Sequence, residues 1–381
     1  MITFGKPIIE NKEYEKIKEV LVSGIFVHGE MTENFEKLFS DIFGYKYSSS
    51  VANCTAGLHL AHYSLTKNID SDKKHIKEVI CPAMSHVATA HAIELAGMKP
   101  IFIDCNFEDG NINTDGVRKA INKNTIGIAP MHFNGVPCQI ETIIDIAKEF
   151  DLYVIEDCAI ALGAKVNGKP VGSFGDAGAF SFHPVKQLTT GEGGMVVTKN
   201  STLHNELLLE KAFGVNRTFN ERKIPGQYDV TLLGFNYRMA EMPAAIGIAQ
   251  LEKYKSFAKI RRENYFILRE NLIKESKVRI LADDAVKEGR SYYALIAQFK
   301  DLKRSQRNEL IMSLKKSGIQ TSIYYPHPIP RFEYYKNKLG YNPSSYPNSE
   351  MVADQTIAFP IAPHLNENDM LKISRELNRL I

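Results

Sequence analysis

No apolar stretch in the 381 residues approaches the roughly 20 needed to cross a bilayer, so no membrane-spanning helix is expected. Charge of one sign is equally scarce. The 47 basic and 44 acidic residues leave a net +3, too slight to imply binding to nucleic acid or to a membrane surface. The five cysteines (54, 81, 105, 138, 158) stand far apart with no Cys-x-x-Cys pair. That argues against a disulfide framework or a metal site and fits a reducing cytoplasm. Their neighbours are mostly apolar or small, as for ordinary buried thiols. Met1 to Lys12 mixes acidic and basic residues without an apolar core, so no secretion signal is expected. Internal repeats and low-complexity segments are absent too. What remains is ordinary for a globular protein: 44% hydrophobic, 24% charged, and long enough for a large core in two domains.

The most informative stretch is Gly178 to Thr198. An apolar run (Ala179, Phe180, Phe182) stops at His183-Pro184, and Lys186 follows in a short polar loop. Thr189-Thr190 and Gly191-Glu192-Gly193-Gly194 come next, before Met195-Val196-Val197 resumes the apolar pattern. A strand, a tight loop carrying one amine and a second strand is the simplest local picture. A lysine in such a loop is a candidate for carbonyl chemistry, because burial lowers its pKa and frees the amine for attack. The alternative is a solvated lysine beside a common Gly-rich turn. The loop is no P-loop, since the Gly-Lys-Ser/Thr ending is missing.

Elsewhere, short apolar runs alternate with helical patterns. Ser48 to Val51 reads as a strand end, and Asn53-Cys54-Thr55-Ala56-Gly57 opens an apolar helix. Free N–H groups at such a helix start form a natural anion site, although Asn53 or Thr55 also suits a plain N-cap. Val79 to Pro82, Pro100 to Asp104 and Leu152 to Asp157 read as strands with helices between them, which predicts right-handed parallel crossovers. Asp157 then lies at a strand's C-terminal end, where ligands bind in open α/β sheets. Helix capping is its alternative role. His132 has no ligand pattern around it and reads as a structural or pocket-edge residue.

Two further helices are expected before residue 254: one through Ile17, Val20 and Leu21, another from Pro243 to Leu251. From about Tyr254 the pattern changes. A charged helix (Phe257 to Glu275) precedes strand-like Ser291 to Phe299, helix Ser305 to Lys316, strand Ile319 to Tyr324 and a closing helix, Glu367 to Leu380. The Pro- and aromatic-rich segment Tyr325 to Pro347 is expected to be an ordered surface flap. The expected division is a large domain, 1–253, and a smaller C-terminal α+β domain, 254–381.

Four blocks, in order, resemble the DegT family of sugar aminotransferases. They are Ala52-Asn53-Cys54-Thr55-Ala56-Gly57-Leu58, Val154-Ile155-Glu156-Asp157-Cys158-Ala159, the Ser181 to Thr198 stretch around Lys186, and Gly234-Phe235-Asn236-Tyr237-Arg238-Met239. The resemblance covers essentially the whole chain. It implies a fold-type I architecture, a large α/β domain with a mostly parallel seven-stranded mixed sheet, and pyridoxal 5′-phosphate (PLP) as cofactor. It implies Lys186 as the residue that carries PLP and Asp157 as the partner of the ring nitrogen. Thr55, Ala56 and Ser181 would bind the phosphate, joined by Asn236 reaching across a homodimer. His86 would lie on the ring, and His327, in Tyr325-Pro326-His327-Pro328, would line the substrate entrance. The loop Gly24 to Gly29 would reach toward a substrate pocket, although a plain connector fits it equally.

The activity that the resemblance implies is amino transfer from L-glutamate to a keto sugar, a nucleotide-linked keto-deoxysugar, in surface-polysaccharide or glycan sugar synthesis. Three alternatives stay open: a small phosphorylated ketone as acceptor, a dehydratase of similar fold, and a non-catalytic regulatory relative. Lys186 speaks against the dehydratase, which carries histidine there. Two departures from the family pattern stand out. Asn53-Cys54 replaces the usual Ser-Gly, and Ile160 replaces a Gln or His near the cofactor's ring hydroxyl.

Overall fold

The computed structural model describes residues 1–69, 76–216, 224, 226–273, 278–283, 289–300 and 302–381. Its strands, in chain order, are β1 (Tyr47–Val51), β2 (Glu78–Pro82), β3 (Lys99–Ile103), β4 (Thr125–Ile128) and β5 (Tyr153–Asp157). A small hairpin, β6 (Lys165–Val166) with β7 (Lys169–Pro170), precedes β8 (Ala177–Ser181) and β9 (Gly194–Thr198). The C-terminal region adds β10 (Val278–Ile280), β11 (Leu295–Phe299) and β12 (Thr356–Phe359). Among the described residues the main sheet has seven strands in the order β1-β9-β8-β5-β4-β2-β3. Its ladders from β3 through β8 are parallel, and β9 runs against both of its neighbours. This matches the seven-stranded, mostly parallel mixed sheet that the family resemblance implies, and its parallel part matches the alternating sequence pattern.

The helices are α1 (Asn11–Ser23), α2 (Glu30–Phe43), α3 (Cys54–Thr66), α4 (Val87–Leu95), α5 (Thr114–Ala120), α6 (Ile140–Glu149) and α7 (Ser201–Glu210). After them come α8 (Glu241–Leu272), α9 (Arg304–Lys316), α10 (Glu333–Leu339), α11 (Pro347–Gln355) and α12 (Glu367–Leu380). The two-residue period of a strand decides which helix covers which face. Ala179 and Val196 join Leu58, Leu203 and Leu207 of α3 and α7 in one core. Phe180, Met195 and Val197 join Phe35 and Phe39 of α2 and Leu251 of α8 in another. α3 lies so close to the sheet that a Cβ on Gly57 would sit 2.8 Å from the Val196 side chain. No helix among the described residues is long and apolar enough to cross a membrane.

Two expectations change, and a third holds in part. Pro243 to Leu251 and Phe257 onward form one 32-residue helix, α8, instead of two. Glu252 to Ser256 contains no Gly or Pro to break it, and Pro243 sits in the first turn, where a missing N–H costs nothing. The helix therefore runs through residues 253 and 254; its expected end at Glu275 lies outside the described residues. Ile319 to Tyr324 forms no strand. It makes isolated bridges, Ile319 to Ile2 and Ser322 to Ala358, so its pairing is split between two partners. Tyr325 to Pro347 is ordered and largely exposed as expected, but it is not a plain loop: it holds α10 and two single 3₁₀ turns, and Tyr335 is fully buried against Ile329 and β2.

Candidate active site

The strand order brings one edge of the main sheet together. Val51 ends β1, Pro82 ends β2, Asp157 ends β5 and Ser181 ends β8, and β9 starts at the same edge because it runs the other way. Val51, Gly194 and Ser181 form one row across three strands. Loops leaving this edge therefore meet above it, the usual ligand position in an open α/β sheet.

Asp157 is 2% exposed. Its Oδ2 accepts the Thr89 hydroxyl at 2.6 Å and its Oδ1 accepts the Ala159 N–H at 3.0 Å. The Ser85 and Thr89 hydroxyls lie 2.7 Å apart, extending the chain of polar groups behind the carboxylate. Each carboxylate oxygen still has a lone pair for a further donor. Lys186 is half-buried, and its Nζ lies 5.4 Å over the ring of Tyr293. Burial pushes the amine below the ordinary lysine value, while the nearby Cys54 and Asp157 groups pull it back up. Such an amine is more nucleophilic at neutral pH than a solvated one. The Asp157 charge is thus one of those felt by the Lys186 amine. Partly covered and set over the Tyr293 ring, Lys186 is not a fully solvated surface lysine.

The loop that carries Lys186 is locked beside it. Gln187 Nε2 donates to the Ile160 carbonyl at 2.6 Å and to Ser291 Oγ at 2.8 Å. Ile160, 1% exposed, packs with Met84, Met131, Phe133, Tyr293 and Tyr325. The departure at this position therefore gives an apolar wall. Its carbonyl, not its side chain, does the hydrogen bonding.

At the other end of the row, α3 begins directly after β1. Asn53 caps it by accepting the Ala56 N–H at Oδ1, 2.9 Å away. That backbone donor is engaged by the cap, so Asn53 has the capping role and Thr55 stays half-buried at the helix start. Gly194 lies under this turn, where a Cβ would come within 2.6 Å of Asn53 and 2.7 Å of the Cys54 nitrogen. Ser181 Oγ accepts the His183 N–H at 3.4 Å. Asn236 is exposed, and its backbone bridges to Ala212.

His86 caps α4, with Nδ1 accepting the Ala88 N–H at 3.2 Å. Its ring meets Tyr325 edge-on at 5.9 Å. Surrounding protein first, and the Lys186 charge second, hold its imidazole below the ordinary histidine range. His327 has other neighbours. Its Nε2 lies 3.4 Å from Arg304 Nη2 and its ring meets Phe332 at 5.1 Å, so its contacts belong to the arginine and acid group around Asp354. His132 is fully buried, 3.0 Å from Glu156 Oε2. With Glu156 and Cys158 it brings potential metal ligands within 4.8 Å of one another. The Glu156 carboxylate, however, already accepts the Gly172, Phe174 and Gly175 N–H groups at 2.6 to 2.8 Å. This is a structural knot.

Thr89, Tyr293 and Tyr325 were not legible as site residues from sequence. Thr89 had one available signal: it lies three residues after His86, the N-cap of α4, and so in the first turn beside it. Tyr325 opens the segment that the resemblance places at the substrate entrance, whereas Tyr293 carried no signal.

PLP asks three things of a protein: an amine for its aldehyde, a carboxylate for its ring nitrogen and a helix start for its phosphate. The strand ends and loops at this edge of the sheet carry all three, and the class is that of a PLP-dependent transaminase. Residues 7–378 match the model of the DegT/DnrJ/EryC1/StrS aminotransferase family. The chain belongs to that family. It is similar to the GDP-perosamine synthase of Escherichia coli O157:H7, with 34% identity over 378 residues, covering 98% of this chain and 96% of that protein. Its fold is similar to Helicobacter pylori PseC, an aminotransferase involved in pseudoaminic acid biosynthesis, with TM-score 0.92, 25% identity and coverage of 100% and 98%. It is also similar to the PMP form of a putative sugar aminotransferase, Spr1654, from Streptococcus pneumoniae, with TM-score 0.91, 25% identity and coverage of 100% and 97%.

Proposed function

We propose that the chain transfers an amino group from L-glutamate to the keto group of a nucleotide-linked sugar, for surface-polysaccharide or glycan synthesis in the cytoplasm. The observation that carries this is that the buried Asp157 carboxylate, the loop bearing Lys186 and the start of α3 all lie at one edge of the main sheet. The sugar acceptor is supported by the amino-sugar relatives described above.

Lys186 would hold PLP, and Asp157 would accept the ring N–H and keep that nitrogen protonated. Thr55, Ala56 and Ser181 would bind the phosphate at the α3 start, with the Ala56 N–H leaving its cap to do so. PLP bound there supplies an electron sink for negative charge at the donor's Cα. Lys186 removes the Cα proton of the donor and later returns a proton to the product carbon. His86 and Tyr325 would close one side of the ring, and Ile160 keeps water from another. His327 would contact substrate at the entrance.

A homodimer is the proposed working unit, with Asn236 crossing to the neighbouring subunit's phosphate site. Its exposure in the single chain supports this, as do the exposed apolar residues Ile25, Phe26 and Val27 in the Gly24–Gly29 loop. The division into domains 1–253 and 254–381 is part of the same reading.

The test is a screen of keto-sugar nucleotides and small phosphorylated ketones with L-glutamate, measuring 2-oxoglutarate release. Purified protein is expected to be yellow, and Lys186→Ala to lose that absorbance. A colourless wild type that ignores added PLP removes the basis for the proposal, and turnover confined to the small ketones corrects the acceptor.

A further inference from the structure

Behind the Lys186 loop, α8 carries a guanidinium that the proposed chemistry does not use. Arg261 is 4% exposed, and among the described residues no carboxylate pairs with it. Its Nη1 donates to the Tyr293 carbonyl at 3.1 Å and its Nη2 to the Lys186 carbonyl at 3.3 Å. Its Nε has no partner. Buried arginines ordinarily sit against an acid, since removing a lone charge from water is strongly unfavourable. Burial lowers Arg261 to about 10, which still leaves it charged at neutral pH. The fold therefore keeps an uncompensated cation where its two outer nitrogens span two carbonyls.

Those carbonyls belong to the two halves of one contact, because Lys186 Nζ lies over the Tyr293 ring. Lys186 sits in the loop between β8 and β9, and Tyr293 sits in the extended run before β11. No strand ladder joins these segments. A guanidinium is planar and its N–H directions are fixed, so one Arg261 sets both carbonyls relative to each other. The neighbouring bond from Gln187 to Ser291 ties the same two segments one residue further along the lysine loop.

We propose that Arg261 is a positioning residue for Lys186: it clamps the Lys186 and Tyr293 carbonyls together and so fixes the direction in which the amine leaves the backbone. The proposal rests on the reading of Lys186 as the residue that holds PLP. A displacement of about 1 Å in a reacting group is enough to cost on the order of 100-fold in rate. A purely structural role, pinning α8 to the core, would change stability and leave the alignment of the bound cofactor alone.

The test uses Arg261→Met, which keeps length and removes every donor, and Arg261→Lys, which keeps the charge and removes the fork. Each full-length variant is loaded with PLP. The readouts are visible absorbance with its pH titration, visible circular dichroism per bound cofactor, and the rate at which excess L-glutamate bleaches the band. Far-ultraviolet circular dichroism and melting report the fold. Both variants are expected to take up PLP with unchanged far-ultraviolet spectra. In Arg261→Met the visible dichroism falls and the bleaching rate drops about 10- to 100-fold, with partial recovery in Arg261→Lys. Wild-type dichroism and bleaching in either folded variant overturns the clamp, as does a loss that only tracks lowered melting. If Arg261→Met does not fold, Arg261→Lys decides alone by the same criteria. A wild type that takes up no PLP sinks the reading of Lys186 instead, and so is told apart from failure of the clamp.

Discussion

Replacing Thr89 by valine removes the hydroxyl that donates to Asp157 Oδ2 at 2.6 Å while leaving a side chain of almost the same size. The bond is buried and its acceptor is ionic, the category in which one hydrogen bond contributes about 1.5–3 kcal/mol. Water cannot replace it, because both residues are buried. With an unfolding entropy of about 2.1 cal/mol/K per residue, a loss of that size lowers the Tm of this chain by about 2–4 °C. The same bond steadies the carboxylate that would face the pyridine nitrogen, so PLP affinity is expected to fall about tenfold, equivalent to ~1.4 kcal/mol. The assays are thermal melting of the cofactor-free protein and PLP titration followed by absorbance. Thr89→Ser, which retains the hydroxyl, is expected to recover most of both effects. A Thr89→Val protein equal to wild type in melting and in PLP affinity refutes the view that this hydroxyl holds the carboxylate.

Burial lowers Lys186 from the ordinary lysine value of 10.5, so the unfolded chain binds more protons there than the folded one, and folding stability rises with pH up to that value. Cofactor-free Lys186→Met should therefore melt higher than wild type near pH 7, with the gap closing as pH approaches 10.5; a gap independent of pH contradicts a depressed amine. His62 is fully buried and lowered from 6.5 to about 3 by burial, with His59 adding to the effect. Stability is thus lost as pH falls from 6.5 toward 3, and His62→Gln should flatten that part of the melting profile, while an unchanged acid limb would count against it. Asn236→Ala should weaken PLP retention in mixed dimers through the opposite subunit, and unchanged retention contradicts a shared site.

How much of this was legible in the chain follows from the range of the forces involved. Lys186 stood out because an apolar run stops at His183-Pro184 and resumes at Met195, and β8 and β9 pair across that loop as the pattern requires. Asp157 stood out because a buried parallel strand is a short apolar run, and its end is visible where the carboxylates begin. The helix start at Asn53 was visible for the same local reason, although the cap's hold on the Ala56 N–H was not. The α8 boundary was misread because Glu252 to Ser256 is polar without being a breaker, and packing of α1 and α2 along the helix carries it through. His327 was assigned to the substrate entrance by the family resemblance alone; its contacts with Arg304 and Phe332 join residues 5 to 23 positions apart that no local pattern announced.

The sequence by itself determined the alternation of strands and helices, the amine, the carboxylate and the helix start, since each depends on residues only a few positions apart. Only the tertiary structure decided what surrounds them. Thr89 meets Asp157, the ring of Tyr293 lies under Lys186, and Arg261 spans two carbonyls from separate segments. Such contacts join residues far apart in the chain, and they exist only once the sheet order has brought their loops to the same edge.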